Sequence, residues 1–169
     1  MADMNPLIEV AIEAEDWASL DAPSQLAEAA ILAAIGESRV SLAANAEISI
    51  LFCDDGFIRD LNRKWRGIDQ PANVLSFPAG GDAAFAPLLG DIVIAFETAS
   101  REASEAGRPL RDHVAHLLVH GFLHLIGHDH IGAAEAETME ALERAILGRL
   151  GIADPFRESL IEEAAGAND

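Results

Sequence analysis

The chain has little cysteine, little positive charge and no long apolar run, and each shortage excludes a class of protein. Only one of its 169 residues is cysteine, Cys53, which excludes a disulfide-stapled scaffold and predicts a reducing, cytoplasmic setting. No apolar stretch reaches the roughly 20 residues of a membrane helix. The N-terminus lacks the basic and apolar regions of a secretory signal. We therefore expect a cytoplasmic protein without a membrane partner.

Basic residues are outnumbered by acidic residues, 11 to 29, so the net charge is −18. Because phosphate binding depends on positive charge, the chain as a whole is not expected to wrap free DNA or RNA. The one locally basic stretch is RDLNRKWRG, residues 59–67. Composition alone makes this stretch a solvated helix face, and a phosphate-binding role needs other evidence.

The order of hydrophobic patterns predicts an α+β fold, in which about five helices pack on a small mixed sheet of four strands. The strands are expected in LIEVAIEAEDW, AEISILFC, NVLSF and GDIVIAF. The helices are expected in DAPSQLAEAAILAAIGES, DDGFIRDLNRKWRG, ETASREASEAG, RPLRDHVAHLLVHGFLHLIG and GAAEAETMEALERAILGRLG. The length fits one domain over residues 1–169, with a frayed tail over residues 160–169.

Histidine is missing from most of the chain, since all six histidines lie between residues 113 and 130. Residues four apart share one face of a helix, which is the spacing of helical metal ligands. His116, His120 and His124 all meet this rule, and His113 precedes them by three residues. Periodicity alone therefore leaves several candidate pairs, and a single histidine among them could equally be a hydrogen-bonded core residue.

The end of this helix narrows the choice of ligands. Gly127 can adopt the left-handed conformation that lets the chain fold back, and His130 follows three residues later. The frame His120-x3-His124-x5-His130 then supplies three imidazoles and leaves one position open, as in a catalytic zinc site. We therefore expect one Zn²⁺ per chain.

The same spacing occurs in the metzincin proteases. Their second motif position is a glutamate that acts as general base on water at the zinc. That position is Gly121 in this chain, and glycine cannot accept a proton. A peptidase is therefore a disfavoured alternative.

Four segments of the chain occur together in the order of one known family. HGFLHLIGHDH is similar to H-G-x-L-H-L-x-G-Y-D-H, and NRKWRGIDQPANVLSFP is similar to N-x-x-x-R-x-x-D-x-P-T-D/N-V-L-S-F-P. GDIVIAFETA and MEALERAILGRLGIADPF follow the same pattern. Over about residues 46–157 the chain thus resembles the YbeY family, bacterial endoribonucleases and rRNA maturation factors. His128 replaces the tyrosine of the first motif, and Ala72 replaces the threonine of the second.

The resemblance implies a small mixed sheet with helices and a metal-dependent endoribonuclease that is specific for single strands. The implied role is 3′-end maturation of small-subunit ribosomal RNA and ribosome quality control. Its implied partners are ribosomal RNA, the small ribosomal subunit, and its proteins or assembly GTPases. It also implies that His120, His124 and His130 bind the metal, usually zinc, and that Asp129 supports the ligands or caps the turn.

Arg66 matches the family's arginine near the metal, and its guanidinium could hold phosphate oxygens bidentately. The structural alternative is a salt bridge, with Asp69 as the candidate partner. Arg59 and Arg63 would add contacts to RNA phosphates. Trp65 could offer a stacking face for a base, although a tryptophan is more often a core residue.

His116 lies one helical turn before His120 and is the nearest candidate for a general base. It could equally be a buried, hydrogen-bonded residue that packs the metal helix. Metal-bound hydroxide or the 2′-OH of the RNA could each act without a separate base. The remaining alternative is a non-catalytic ribosome-biogenesis factor in which the metal holds the fold.

Overall fold

The computed structural model describes residues 6–129 and 131–156, which form a mixed sheet and five α-helices. This arrangement confirms the predicted α+β fold. The strands are β1 (Leu7–Ile12), β2 (Glu47–Cys53), β3 (Val74–Pro78) and β4 (Leu88–Ala95). The helices are α1 (Pro23–Ser38), α2 (Asp55–Arg66), α3 (Phe96–Glu105), α4 (Leu110–Leu125) and α5 (Ala133–Arg149). The predicted tail over residues 160–169 lies outside the described residues.

The sheet has the strand order β1-β2-β4-β3. β1, β2 and β4 run parallel, and β3 pairs antiparallel with β4. The parallel pair β1–β2 requires a crossover connection, which α1 provides. Within the described residues, no helix is both long enough and apolar enough to cross a membrane.

The strand β4 separates two hydrophobic clusters because its side chains alternate between the faces of the sheet. Ile92 and Ile94 belong to the large cluster that includes residues of α1, α4 and α5. Val93 and Ala95 belong to a small cluster with Ile58 of α2. The sheet therefore carries most of its core on one face and only α2 on part of the other.

Helix α2 begins and ends where its sequence predicts. The side chain of Asp54 caps the N-terminus by accepting a hydrogen bond from the backbone N–H of Phe57 at 2.8 Å. Gly67 ends the helix with a φ of 71°. Arg63, Lys64 and Arg66 lie in the last turn, where positive charge interacts favourably with the helix dipole.

The first strand is shorter than predicted. The alternating pattern extends to Trp17, but the strand ends at Ile12 and Glu15–Ser19 forms a short 3-10 helix. Trp17 is fully buried and its indole N–H donates to the carbonyl of Cys53 at 2.8 Å. The buried tryptophan, rather than pairing with a neighbouring strand, therefore holds residues 15–19 against the core. A smaller difference is that Phe96, predicted to end the last strand, begins α3.

Cys53 is buried at the end of β2. Burial, with smaller contributions from Asp54, Glu97 and Asp55, raises the pKa of its thiol to about 12. The thiol is therefore protonated at neutral pH and serves as a small apolar side chain.

Candidate metal centre and its surroundings

The chain reverses at the end of α4, as the glycine predicts. Gly127 has a φ of 101°, its N–H donates to the carbonyl of His124, and the N–H of His128 donates to the carbonyl of Leu123 at 2.9 Å. These two bonds form a Schellman motif. The turn thus ends α4 and reverses the chain direction. His130, the remaining predicted ligand, lies outside the described residues.

Two of the predicted ligands converge at the C-terminal end of α4. The Nε2 atoms of His120 and His124 lie 3.0 Å apart. Two nitrogens held tetrahedrally by one zinc ion at about 2.0–2.1 Å would be roughly 3.3 Å apart. The two imidazoles therefore fit a shared metal ion. Within the described ranges no group of three ligating side chains is found, and the third predicted ligand is His130.

A buried carboxylate contacts His120 and also His116, one helical turn before it. Glu143 of α5 is only 2% exposed. Its Oε1 accepts hydrogen bonds from His116 Nε2 at 2.7 Å and from His120 Nδ1 at 3.2 Å. Burial on its own would raise the pKa of Glu143, but these two hydrogen bonds outweigh it and lower the pKa to about 2. The carboxylate is therefore ionised, and it fixes the orientation of both rings.

Sequence reasoning missed Glu143, although the sequence holds a signal for it. The buried face of α5 consists of Met139, Glu143, Ile146 and Leu147, at helical spacing. An acidic residue on an otherwise apolar face is rarely buried without a partner. The partners could not be identified from the sequence, because they depend on how α4 and α5 pack.

His116 lies between this carboxylate and the last described turn of the chain. Its ring contacts the ring of Phe156 edge to face, with centroids 5.5 Å apart. Its Nδ1 atom is buried without a hydrogen-bond partner among the described residues. Nε2 donates to Glu143, so Nδ1 carries the lone pair of this ring. His116 therefore stays a candidate for both predicted roles, the packing residue and the general base.

The end of the described chain closes a cavity beside the two histidines. The cavity has a volume of about 280 Å³, and its lining includes His120, Met139 and Phe156. Phe156 is held from outside by the guanidinium of Arg144, 4.9 Å above its ring, and Arg144 also pairs with Asp154 at 3.3 Å. The cavity therefore borders the edge of α4 that carries His116 and His120.

Gly121 faces the sheet rather than the two imidazoles. A Cβ atom at this position would lie 2.9 Å from Cγ2 of Ile92 and 3.1 Å from Oγ of Ser76. The carbonyl of Gly121 accepts a hydrogen bond from that Oγ at 3.1 Å. In metzincins this position carries the general base. Here it packs tightly against the sheet and leaves no space for a glutamate side chain, which argues further against a peptidase.

Arg66 is linked to α4 through the same serine. Its Nη2 donates to the carbonyl of Ser76 at 2.9 Å, and its guanidinium lies 5.6 Å from the centre of the Phe77 ring. The chain of contacts from Arg66 through Ser76 to Gly121 ends next to His120. Asp69, the predicted alternative partner of Arg66, pairs instead with Arg59 at 2.8 Å.

The remaining basic residues of α2 are exposed. Arg59 pairs with Asp69 and Arg63 with Asp60, and exposed pairs of this kind contribute only about 0–1 kcal/mol to stability. Trp65 is 64% exposed, so it is not a core residue. The surface of α2 can therefore exchange its intramolecular partners for a ligand at little cost.

Trp65 and Arg66 line a groove on the face of the sheet that α1 and α4 leave uncovered. The groove has a volume of about 1040 Å³. Its floor is formed by strand residues that include Leu51, Phe77 and Val93. Arg59 and Arg63 are not part of its lining. The structure thus brings Arg66 and Trp65 together and places the other two arginines further along the surface of α2.

Asp129 lies in the turn after α4 and is partly buried. Its Oδ1 accepts a hydrogen bond from the backbone N–H of Ile131 at 3.2 Å. His128, which replaces the tyrosine of the resembled motif, lies with Asp129 in a small surface cavity.

The comparisons with known proteins agree on one family. The family model described as Endoribonuclease YbeY matches residues 11–151. A protein of Methylocella silvestris named Endoribonuclease YbeY is 65% identical over 157 residues, which are 93% of this chain and 89% of that protein. A protein of Beijerinckia indica with the same name is 55% identical, over 90% of this chain and 78% of that protein.

A solved structure shares the fold. The solution structure of TM1509 from Thermotoga maritima matches with a TM-score of 0.55 and 21% sequence identity. The match covers 85% of this chain and 91% of that protein. At this identity the similarity concerns the arrangement of sheet and helices.

Proposed function

Because the chain belongs to the YbeY family of endoribonucleases, we propose that it cuts single-stranded ribosomal RNA with the help of one zinc ion. The chain is an endoribonuclease, a hydrolase of phosphodiester bonds. The proposal adds the metal, the ribosomal substrate and the residues of the site. The proposed role is maturation of the 3′ end of small-subunit RNA and ribosome quality control.

The observation that carries the metal centre is the 3.0 Å separation of the Nε2 atoms of His120 and His124. The proposed third ligand is His130, six residues after His124 and beyond the turn at Gly127. Asp129 would support this ligand by capping the turn. Zinc bound there would supply a Lewis acid for a phosphoryl oxygen and would make water at the site more acidic.

The proposed role of Arg66 is to hold the phosphate that is cut. Its hydrogen bond to Ser76 uses one of five N–H groups, and a guanidinium can bind phosphate oxygens bidentately. The same bond sets the position of the side chain relative to α4. In the transition state the positive charge would stabilise the additional negative charge on the phosphoryl oxygens. Arg59 and Arg63 would bind neighbouring phosphates along α2.

The net charge of −18 bears on how the RNA reaches the site. Such a chain repels free RNA over most of its surface. We therefore expect the substrate to be presented on the small ribosomal subunit, with ribosomal proteins or assembly GTPases as partners and without a membrane or DNA. The protonated, unpaired thiol of Cys53 supports a cytoplasmic setting.

The test compares wild type with Arg66→Ala, His124→Ala and the control Arg101→Ala. Arg101 is an exposed arginine of α3, so its removal matches the charge change of Arg66→Ala. Cleavage of precursor small-subunit RNA is assayed on immature ribosomal particles, and the zinc content of each protein is measured. Arg66→Ala should retain zinc and fold but lose about 10²–10³-fold in cleavage rate. Arg101→Ala should cleave like wild type.

Two outcomes would contradict the proposal. If Arg66→Ala cleaves as fast as wild type, the arginine has only a structural role. If wild type leaves the RNA uncut and His124→Ala only loses its metal and unfolds, the chain is a non-catalytic biogenesis factor with a structural metal.

A further inference from the structure

We infer that Glu143 is a positioning residue of the metal centre, which holds His120 as the tautomer that presents an unprotonated Nε2 to the metal. The inference rests on the proposed metal centre. It adds a residue on α5 to a site whose described ligands lie on α4. Glu143 does not touch the metal or the RNA in this account, because it acts through the ring of His120.

The first argument is the geometry of the contact between Glu143 and His120. A carboxylate oxygen accepts hydrogen bonds, so the contact of 3.2 Å assigns a hydrogen to Nδ1 of His120. Nε2 then carries the lone pair. That atom is also the one that lies 3.0 Å from Nε2 of His124. The acceptor and the metal position are thus on opposite sides of the same ring, as in other carboxylate–histidine–metal arrangements.

The second argument is the burial of Glu143. A carboxylate that is 2% exposed is strongly destabilised unless charge-assisted hydrogen bonds replace its water. His116 supplies the shorter of the two bonds, at 2.7 Å, to the same Oε1 that contacts His120. His116 therefore holds Oε1 of Glu143 in place, and Oε1 in turn orients the ring of His120. Phe156 packs against the edge of His116 and completes this support.

The competing explanation is that Glu143 only clamps α4 to α5. A clamp affects the stability of the fold, whereas a positioning residue also affects the affinity of the folded protein for metal. Substitution can separate the two. Glu143→Leu keeps an apolar side chain on the buried face and removes the acceptor, and Glu143→Gln keeps an acceptor without the charge.

The matched controls are Glu140→Leu and Glu140→Gln. Glu140 lines the same cavity on α5, and among the described residues no hydrogen bond joins it to a histidine. Zinc affinity is measured by competition with a chelator on the full chain, and the melting temperature of the metal-free protein is measured beside it. Long-range ¹H–¹⁵N spectra of the imidazoles report the tautomer of His120 in metal-free wild type, which requires no variant.

Glu143→Leu should bind zinc about 10- to 100-fold more weakly than wild type, the usual effect of losing a carboxylate that orients a histidine ligand. The zinc affinity of Glu143→Gln should lie between those of wild type and Glu143→Leu. Both Glu140 variants should bind zinc as tightly as wild type. The spectra of wild type should show the Nδ1–H tautomer of His120.

Three results would overturn the inference. Wild-type affinity in Glu143→Leu, even with a lower melting temperature, would make Glu143 a clamp only. An Nε2–H tautomer of His120 in wild type would remove the geometric argument. In both cases the proposed function stands if wild type binds zinc more tightly than His124→Ala. If wild type binds no better than His124→Ala, the inference and the proposed metal centre fail together.

Discussion

The two faces of the sheet differ in how completely they are covered. On one face α1 and α4 pack with β2 and β4 into a continuous core that is rich in alanine, and the partly buried His120 and His124 lie on α4. On the other face the described residues include a small cluster of five buried side chains, one from α2 and four from the strands, and an open groove exposes Trp65 and Arg66. On the closed face α4, which carries His120 and His124, packs tightly against the sheet at Gly121, whereas the open face offers exposed side chains that can change partners. The comparison predicts that substitutions will affect stability on the first face and RNA contact on the second.

The largest effect is expected for Gly121→Glu, which places a carboxylate in the contact between α4 and the sheet. The new Cβ atom would meet Ile92 at 2.9 Å, and the charge would be buried without a partner. We expect the free energy of unfolding to fall by more than about 4 kcal/mol. Urea denaturation monitored by circular dichroism measures the change.

The control for this substitution is Gly148→Glu on α5. A Cβ atom at Gly148 has no neighbour within 4 Å among the described residues, and glutamate is a better helix former than glycine by roughly 0.5–1 kcal/mol. Because Gly148 lies in the last turn of α5, an unfavourable interaction with the helix dipole offsets this gain, and the stability should stay within about 0.5 kcal/mol of wild type. A Gly121→Glu protein as stable as the control would show that the closed face tolerates a charge.

The second effect concerns the acid stability of the closed face. The pKa of Glu143 is lowered from 4.5 to about 2 in the folded chain, so the unfolded chain binds a proton first as the pH falls. The stabilisation is complete above pH 4.5 and is lost progressively towards pH 2. Its size is up to about 3 kcal/mol for a shift of this magnitude.

Melting temperatures of the metal-free protein between pH 6 and pH 2 test this prediction. Glu143→Gln should be less stable than wild type at pH 6 and should lose less stability below pH 4.5, while Glu140→Gln should follow the wild-type curve. Parallel curves for wild type and Glu143→Gln would mean that the carboxylate does not titrate with folding.

The smallest effect on stability is expected on the open face, for Trp65→Ala. Because the ring is 64% exposed, the free energy of unfolding should change by less than about 0.5 kcal/mol. The loss of a stacking face should weaken binding of single-stranded RNA by about 1–3 kcal/mol, or roughly 5- to 140-fold. Fluorescence anisotropy with a labelled oligonucleotide measures the affinity.

Phe85→Ala is the matched control, since Phe85 is an aromatic residue that is 80% exposed in the loop between β3 and β4. It should bind RNA like wild type. An equal loss of RNA affinity in both variants would show a general effect of exposed aromatic residues. A large drop in the free energy of unfolding of Trp65→Ala would show that stability and RNA contact are not divided between the two faces.

Local patterns predicted the features that depend on a single element. The i, i+4 spacing placed His120 and His124 on one side of α4, and Gly127 predicted the reversal that follows, because both depend only on helix geometry. The strands and helices followed from their hydrophobic periods. The first strand was predicted too long, because alternation cannot distinguish Trp17 in a strand from Trp17 buried beside Cys53.

Features that depend on two elements were not predictable in this way. The contact of Glu143 with His116 and His120 requires α5 to approach α4, and the sequence separation between them is 23 to 27 residues. The bond from Arg66 to Ser76 likewise depends on how α2 lies over the edge strand β3. In each case the sequence shows the residue types, and the packing selects the partners.

The buried thiol of Cys53 makes the chain convenient for spectroscopy. With a pKa of about 12, about one thiol in ten thousand is a thiolate at pH 8, so maleimides and iodoacetamides should leave the folded chain unlabelled. A cysteine introduced at exposed Phe85 or Arg101 would then be the one reactive site, without removal of the natural residue. Dyes or spin labels at such positions could test the proposed docking on ribosomal particles in the otherwise native protein.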